Sequence, residues 1–425
     1  MNADLYFSED TVLIERSKSA FCYAIGPFRL YNLNKDGVRV LSLISKKNTL
    51  NEIASAIAGS KNENINKIQK VLKNFVNNLQ NKGLLTSEKL TKSYSCHFRK
   101  IKTSPELHSV IFEVTRDCNL NCRHCYVLNK NSRQELTLSQ IKDMINEATD
   151  LGVWQWSLTG GEPFYRNDIL KIIEFLTQKL IVTNVFTNGT LLSKSFISSL
   201  KMLRIHSIII SLDGEQGFHN ENKTFKQSMK VIEDMLSVGL KVKVNITLTR
   251  NNKNELPHLC HHLKQLKTPY EIGTIFPRGH GEKVQSLNLS EQQFGKLYKK
   301  YSYATDFYLL DSLRTDNVID TNTPCGVGNK IIFISFDGSV SLCPSLTIED
   351  DFSFFAGNVS EKSIKDIWEK SKTFKMYRDL NCSELLNCNV GSTCKGGCRS
   401  RAYHVYGDVT ASDKVACAIY GRHEE

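Results

Sequence analysis

The sequence predicts an α/β protein in three parts: a small winged-helix-like α+β unit over 1–85, an open, partial (β/α)6 barrel over 108–305, and a cysteine-rich unit over 306–425. Three observations predict it. Apolar strand-like runs alternate with helical patterns from Val110 to about Phe276, which implies a parallel sheet with crossover helices. Residues 1–85 instead show three short strand runs and then three helices. Ten of the thirteen cysteines fall in two dense groups, one inside the barrel region and one after it.

In the first part, strands are expected at Thr11 to Arg16, Ala20 to Ile25 and Phe28 to Leu33, and helices near 36–46, 50–59 and 65–82. Thr49-x-x-Glu52 is a capping box for the second helix, and Ile65, Ile68, Leu72, Phe75 and Leu79 form one stripe on the third before Gly83 ends it. The polar stretch 86–107 reads as linker. The barrel strands are expected near 110–115, 153–159, 181–187, 206–212, 241–248 and 270–276. Between the first two, Ile141, Met144, Ile145, Ala148 and Leu151 mark a helix opened by Thr137-x-x-Gln140 and stopped by Gly152. Six such units are too few for a closed eight-stranded barrel, and ligand groups in an open one gather at the carboxyl ends of the strands.

Every chemically suggestive motif sits at such an end. Cys118, Cys122 and Cys125, spaced Cys-x3-Cys-x2-Cys, follow the first strand. Three thiolates can hold three corners of a [4Fe–4S] cube and leave the fourth iron open to an amine and a carboxylate, whereas structural zinc normally closes its tetrahedron with a second pair. Gly160-Gly161-Glu162-Pro163 follows the second strand, Thr187-Asn188-Gly189 the third, and Ser211-Leu212-Asp213-Gly214 the fourth. Arg278 and His280 follow the sixth and receive no role, since a lone Arg or His at a strand end is usually a cap or surface residue. Downstream, Cys325 and Cys343 bracket a hairpin expected to turn at Asp337-Gly338, and Cys382, Cys388, Cys394, Cys398 and Cys417 follow. Two structural zinc sites are the alternative for that region. Cys22, Cys96 and Cys260 read as ordinary thiols.

Order and placement of the four strand-end motifs resemble the radical S-adenosylmethionine (SAM) superfamily. The resemblance implies a SAM-binding [4Fe–4S] cluster on Cys118, Cys122 and Cys125, with SAM held by Gly160, Gly161, Glu162, Asn188, Ser211 and Asp213. The later cysteines resemble the SPASM domain, which holds two auxiliary clusters. By that pattern Cys325, Cys343 and Cys398 hold the first, without an obvious fourth thiolate, and Cys382, Cys388, Cys394 and Cys417 the second. The family usually has a cysteine where this chain has Leu385, so Cys382 substitutes from a loop three residues longer. The cofactors implied are therefore three [4Fe–4S] clusters and SAM.

Residues 1–85, with Tyr31-Asn32-Leu33-Asn34 before the first helix and Gly83-Leu84-Leu85 after the last, resemble the PqqD-like peptide recognition domain. In that family a leader peptide adds a strand to an exposed sheet edge beside the last helix. A winged-helix DNA-binding domain is the rival, and 14 Lys and Arg against 8 Asp and Glu over residues 1–95 suit acidic peptide or DNA equally. No recognition helix rich in Arg together with Asn and Gln is evident, which favours peptide. The combined resemblance implies a maturase of ribosomally made peptides: one electron passed to SAM releases methionine and a 5′-deoxyadenosyl radical, which takes a hydrogen from a precursor peptide bound through its leader. The carbon radical is then trapped as a thioether or as a carbon–carbon or ether cross-link, and the auxiliary clusters accept the electron left over. An external donor such as flavodoxin or ferredoxin supplies the first electron. A sulfatase-type formylglycine-forming maturase and an iron–sulfur DNA-binding redox regulator are the alternatives.

No apolar segment follows Met1 and no run of about 18 apolar residues occurs, so neither secretion nor a membrane span is expected. Clustered cysteines in a chain of 425 residues fit metal ligation in a reducing cytoplasm rather than a disulfide framework. The net charge of +11, without a block of like charges, suggests anionic partners but neither nucleic acid nor membrane.

Overall fold

The computed structural model describes residues 4–17, 19–25, 29–127, 134–214, 224–302, 325–347 and 349–421. It divides into two compact units, Met1–Lys102 and Thr103–Glu425. The boundary expected between barrel and cysteine-rich part, at 305/306, lies outside the described residues.

In the first unit the strands Thr11–Glu15, Ala20–Ala24 and Arg29–Leu33 form an antiparallel meander, followed by helices Lys35–Ser45, Leu50–Lys61 and Ile65–Asn81. The capping box at Thr49 and Glu52 is formed. The third helix buries Ile68, Leu72, Val76 and Leu79, whereas Ile65, in its first turn, is 41% exposed. Its apolar face thus runs through Val76, with Phe75 packed at the margin.

The stretch read as linker is corrected by the structure. Cys96–Lys100 is a strand, paired in parallel with Thr11–Glu15, so the sheet order is 29–33, 20–24, 11–15, 96–100. Leu85–Thr86 also pairs with Tyr6–Phe7. An edge strand needs backbone partners on one side only and carries charge safely on its open side, so Cys-His-Phe-Arg-Lys pairs without an alternating apolar pattern.

The second unit is built on one nine-stranded sheet. Strands Ser109–Glu113, Gln155–Thr159, Val182–Thr187, Ser207–Ser211, Val242–Thr247 and Tyr270–Gly273 are adjacent and parallel in chain order. The near-continuous apolar run Ile208–Ile210 is what a strand covered on both faces requires. Helix Leu138–Asp150 carries the expected capping box at Thr137 and stops at Gly152, whose φ is +85°.

The cysteine-rich part does not start a sheet of its own. Ile331–Ile334 pairs in parallel with Ser109–Glu113, on the side opposite Gln155–Thr159, and continues as an antiparallel hairpin to Ser339–Ser341 and on to Phe355–Asn358. The hairpin turns at Gly338, φ +84°, as expected. One hydrophobic core therefore runs from the barrel strands through Val327, Ile332, Trp368 and Phe374.

Candidate functional site: three groups of thiols around the strand ends

The loop that leaves the first barrel strand carries Cys118, Cys122 and Cys125, and its shape is set by three neighbouring strand ends. The Gly160-Gly161-Glu162 segment lies flush against its root: Gly161 N–H donates to Thr115 O and Glu162 N–H to Asp117 O, each at 2.8 Å. A Cβ on Gly160 would stand 2.2 Å from Thr115 O, and one on Gly161 2.4 Å from Asp117 O. Both glycines are there because main chain meets main chain.

Glu162 is fully buried. Its Oε1 accepts from the Thr187 hydroxyl (2.8 Å) and Phe164 N–H (3.1 Å), and its Oε2 from Asn188 N–H (2.8 Å), which ties the second strand end to the third. Asn188 in turn donates to Asn119 Oδ1 at 3.0 Å and lies 3.9 Å from Cys118 Sγ. Asp213 repeats the device further along the sheet. It is 5% exposed, accepts Thr247 N–H at 2.7 Å, and its Oδ2 is 3.7 Å from His124 Nε2 inside the cysteine loop. Asn252 closes this corner by donating to Asp213 O and Thr247 O. Ser211 is exposed at its strand end. Of the strand-end residues expected to hold SAM, Gly160, Gly161, Glu162, Asn188 and Asp213 thus lie against one loop, with Glu162 and Asp213 also fixing the frame.

Arg278 and His280, left without a role on sequence grounds, grip the far half of the loop. His280 N–H donates to Cys125 O at 2.9 Å and its Nδ1 is 3.1 Å from Cys122 O. Arg278, 4% exposed, donates to Tyr126 O at 3.2 Å. Gly279 and Gly281 permit this, since a Cβ would meet Cys125 O at 2.9 Å and Phe276 O at 2.4 Å, respectively. The signal was present in Arg278-Gly279-His280-Gly281, a polar, glycine-spaced group behind a strand like the other three. Burial, and then the neighbouring Cys118 thiol, push the Cys125 thiol up, against the Val127 N–H and the Arg278 charge.

The later cysteines form two sets. Burial, then the thiols of Cys398 and Cys325, push Cys343 upward, and the same three thiols act on buried Tyr377. Cys382, Cys388, Cys394 and Cys417 line one small cavity together with Asp413. The longer loop does not remove Cys382, because Leu385–Asn387 winds into a tight 3-10 turn, with Leu385 N–H on Cys382 O and Cys388 N–H on Leu385 O. Burial pushes the Cys394 thiol up to about 11, with Cys417, Asp413 and Cys388 adding to it. Asp413 also accepts Cys398 N–H at 2.9 Å and pairs with Arg401, so it stands between the two sets.

All thirteen cysteines are free thiols. Among the described residues no three Cys, His, Asp or Glu side chains close on a point fit for a single metal ion. The four thiols of the second set stand around a space instead, and neutral buried thiols become good ligands once a metal's charge holds them as thiolates. The donor sets fit iron–sulfur cages: three thiols at the loop, three in the first later set, four in the second.

Comparison with known proteins agrees with this chemistry. Residues 112–263 match the model of the radical SAM superfamily, and residues 325–399 match that of an iron–sulfur cluster-binding domain, SPASM. The AdoMet-dependent heme synthase of Methanosarcina barkeri is 26% identical over 333 residues, covering 70% of this chain and 93% of that protein. The mycofactocin maturase MftC of Mycolicibacterium smegmatis is 25% identical over 308 residues, covering 69% and 78%. Among solved structures, Streptococcus suis SuiB bound to its precursor peptide SuiA superposes with a TM-score of 0.64 at 16% identity, covering 97% of this chain and 99% of that one.

Proposed function

We propose that this chain, a radical SAM enzyme with a C-terminal SPASM domain, modifies a ribosomally made precursor peptide by installing an intramolecular cross-link, a thioether or a carbon–carbon or ether bond. The observation that carries the reading is the first unit. Its sheet has one edge taken by the chain's own strand Cys96–Lys100, and among the described residues no strand pairs with the outer side of Arg29–Leu33. An extended leader could add a strand at that edge. The last helix of the unit adds a groove lined by Asn74, Asn77, Asn78, Asn81 and Lys82, whose amides and ammonium can bond a polypeptide. The SuiB likeness in fold runs through nearly all of the chain, the first unit included.

Cys118, Cys122 and Cys125 would hold the SAM cluster, Cys325, Cys343 and Cys398 the first auxiliary cluster, and Cys382, Cys388, Cys394 and Cys417 the second. When bound there, SAM and a one-electron donor such as flavodoxin or ferredoxin supply a 5′-deoxyadenosyl radical that abstracts a peptide hydrogen. The chain's part is to hold the loop still. Glu162 and Asp213 fix the strand ends around it, Asn188 stands beside Cys118, and His280 immobilises the carbonyls of Cys122 and Cys125. A first auxiliary cluster held by three thiols would have a fourth position for a non-cysteine ligand of the protein or for a substrate thiol, and the latter would suit thioether formation.

The test is anaerobic incubation of the reconstituted chain with SAM, dithionite and a short candidate precursor peptide, sought among reading frames beside its gene. 5′-Deoxyadenosine together with a peptide lighter by two hydrogens per bond is expected. Conversion of a tetrapyrrole with the peptide left intact would transfer the chain to the chemistry of the heme synthases. Formylglycine made in a leaderless peptide would transfer it to sulfatase maturation.

A further inference from the structure

The turn that follows Cys343 is fastened to both ends of the Cys118–Cys125 loop. At the root of that loop, Arg116 is 6% exposed at its side chain, pairs with Glu113 on the first strand at 3.2 Å, and donates to Glu349 at 2.8 Å. Its guanidinium also lies 4.7 Å over the Phe336 ring in the hairpin. Just past the loop's last cysteine, Arg278 donates to Tyr126 O and, with its remaining N–H groups, to Asp350 (2.9 Å), Pro344 O (3.1 Å) and the Thr347 hydroxyl. Glu349 and Asp350 are sequence neighbours. Asp350 is itself oriented by Thr347, whose N–H it accepts at 2.9 Å. The opposite side of the turn is pinned as well: Ser345 O accepts from the Ser400 hydroxyl (3.0 Å) and faces His404 Nε2 (2.8 Å), on the helix that begins after Cys398.

We infer that Arg116 and Arg278 are positioning residues that clamp the Cys343–Asp350 turn to the Cys118–Cys125 loop, so that the SAM-cluster nest and the first auxiliary nest form one rigid body. The inference rests on the maturase reading above. Arginine suits the task because its planar fork can serve several acceptors at fixed angles, which a lysine ammonium does at only one point. Both arginines donate to carboxylates, carbonyls and a hydroxyl of the protein. The clamp would thereby set the distance and orientation between the two nests, and, with clusters bound there, how readily electrons pass between the substrate and the first auxiliary nest.

The experiment uses the full chain, reconstituted anaerobically, with Arg278→Met, Arg278→Lys and Asp350→Asn. Asp350→Asn keeps the Thr347 contact and serves if Arg278→Met fails to fold. Iron and sulfide are counted, and electron paramagnetic resonance spectra of the dithionite-reduced protein are recorded, alone and over Cys118→Ala/Cys122→Ala/Cys125→Ala. Expected are altered signals and shifted midpoint potentials at both the SAM nest and the first auxiliary nest, an unchanged second auxiliary signal, partial recovery in Arg278→Lys, and about tenfold more 5′-deoxyadenosine per modified peptide in Arg278→Met, an effect of the size seen on removing partners of metal ligands. Signals unchanged at either nest in both Arg278→Met and Asp350→Asn would overturn the clamp. A parent chain that binds no iron on Cys118, Cys122 and Cys125 would instead overturn the maturase reading, and the clamp with it.

Discussion

Replacing Gly161 with alanine isolates the close approach between the second strand end and the cysteine loop. Gly161 does not have a positive φ, so alanine meets no backbone penalty and the whole effect is contact. Its Cβ would lie 2.4 Å from Asp117 O and 2.5 Å from Arg116 O, and relief to 3.0 Å demands a displacement of at least 0.6 Å. The two flanking hydrogen bonds, 2.8 Å each, then stretch to about 3.4 Å, beyond useful range. Losing both costs about 2 kcal/mol, and leaving the N–H groups buried adds about 1–2 more. For a body this large, a loss of about 3–4 kcal/mol lowers Tm by roughly 5 °C. The assay is differential scanning fluorimetry with iron counting, beside Gly59→Ala as control, where a Cβ meets nothing within 4 Å in a helix and should stabilise the chain slightly. Gly161→Ala should lose the iron of the first loop and keep that of the C-terminal sets. Unchanged Tm and full iron would refute the reasoning.

Glu162→Gln turns an acceptor into a donor opposite Asn188 N–H or the Thr187 hydroxyl and should cost about 1.5–3 kcal/mol with weakened SAM binding, read by calorimetry. At Glu349, 15% exposed at its side chain, burial raises the carboxyl pKa, but hydrogen bonds from Thr347 and Arg116 and the Arg116 charge outweigh it and hold it at about 2. A depressed carboxyl stabilises the fold above its unfolded value of 4.5 and loses that contribution as pH falls toward 2, so Glu349→Gln should cost at most about 3 kcal/mol at pH 7 and progressively less below pH 4 in denaturant titrations. Cys382→Ser should remove about four irons while Cys96→Ser removes none. His97→Pro should destabilise the first unit by about 1–2 kcal/mol through a lost ladder bond to Thr11–Glu15, and hydrogen exchange at Leu13 should speed up.

What the sequence made legible was local. The six barrel strands, the capping boxes at Thr49 and Thr137 and the turn at Gly338 each follow from a few adjacent residues, and the structure has them. The strand at Cys96–Lys100 was missed because its partner lies 85 residues earlier and an exposed edge imposes no apolar alternation. Arg278 was set aside for a similar reason: its acceptor Asp350 is 72 residues away, and Arg116 and Glu349 are 233 apart. Pairings of that span leave no periodic trace. Glu162 and Asp213 were legible as important positions, but a motif does not reveal that their carboxylates also brace neighbouring strands.

The hairpin strand Ile331–Ile334 lies against the very strand whose end carries Cys118. Cutting the chain before it, to prepare a minimal barrel, would strip a partner from Ser109–Glu113 and bare a buried row of amides and carbonyls as a sticky border. Such truncated chains should precipitate or pair with one another rather than bind SAM.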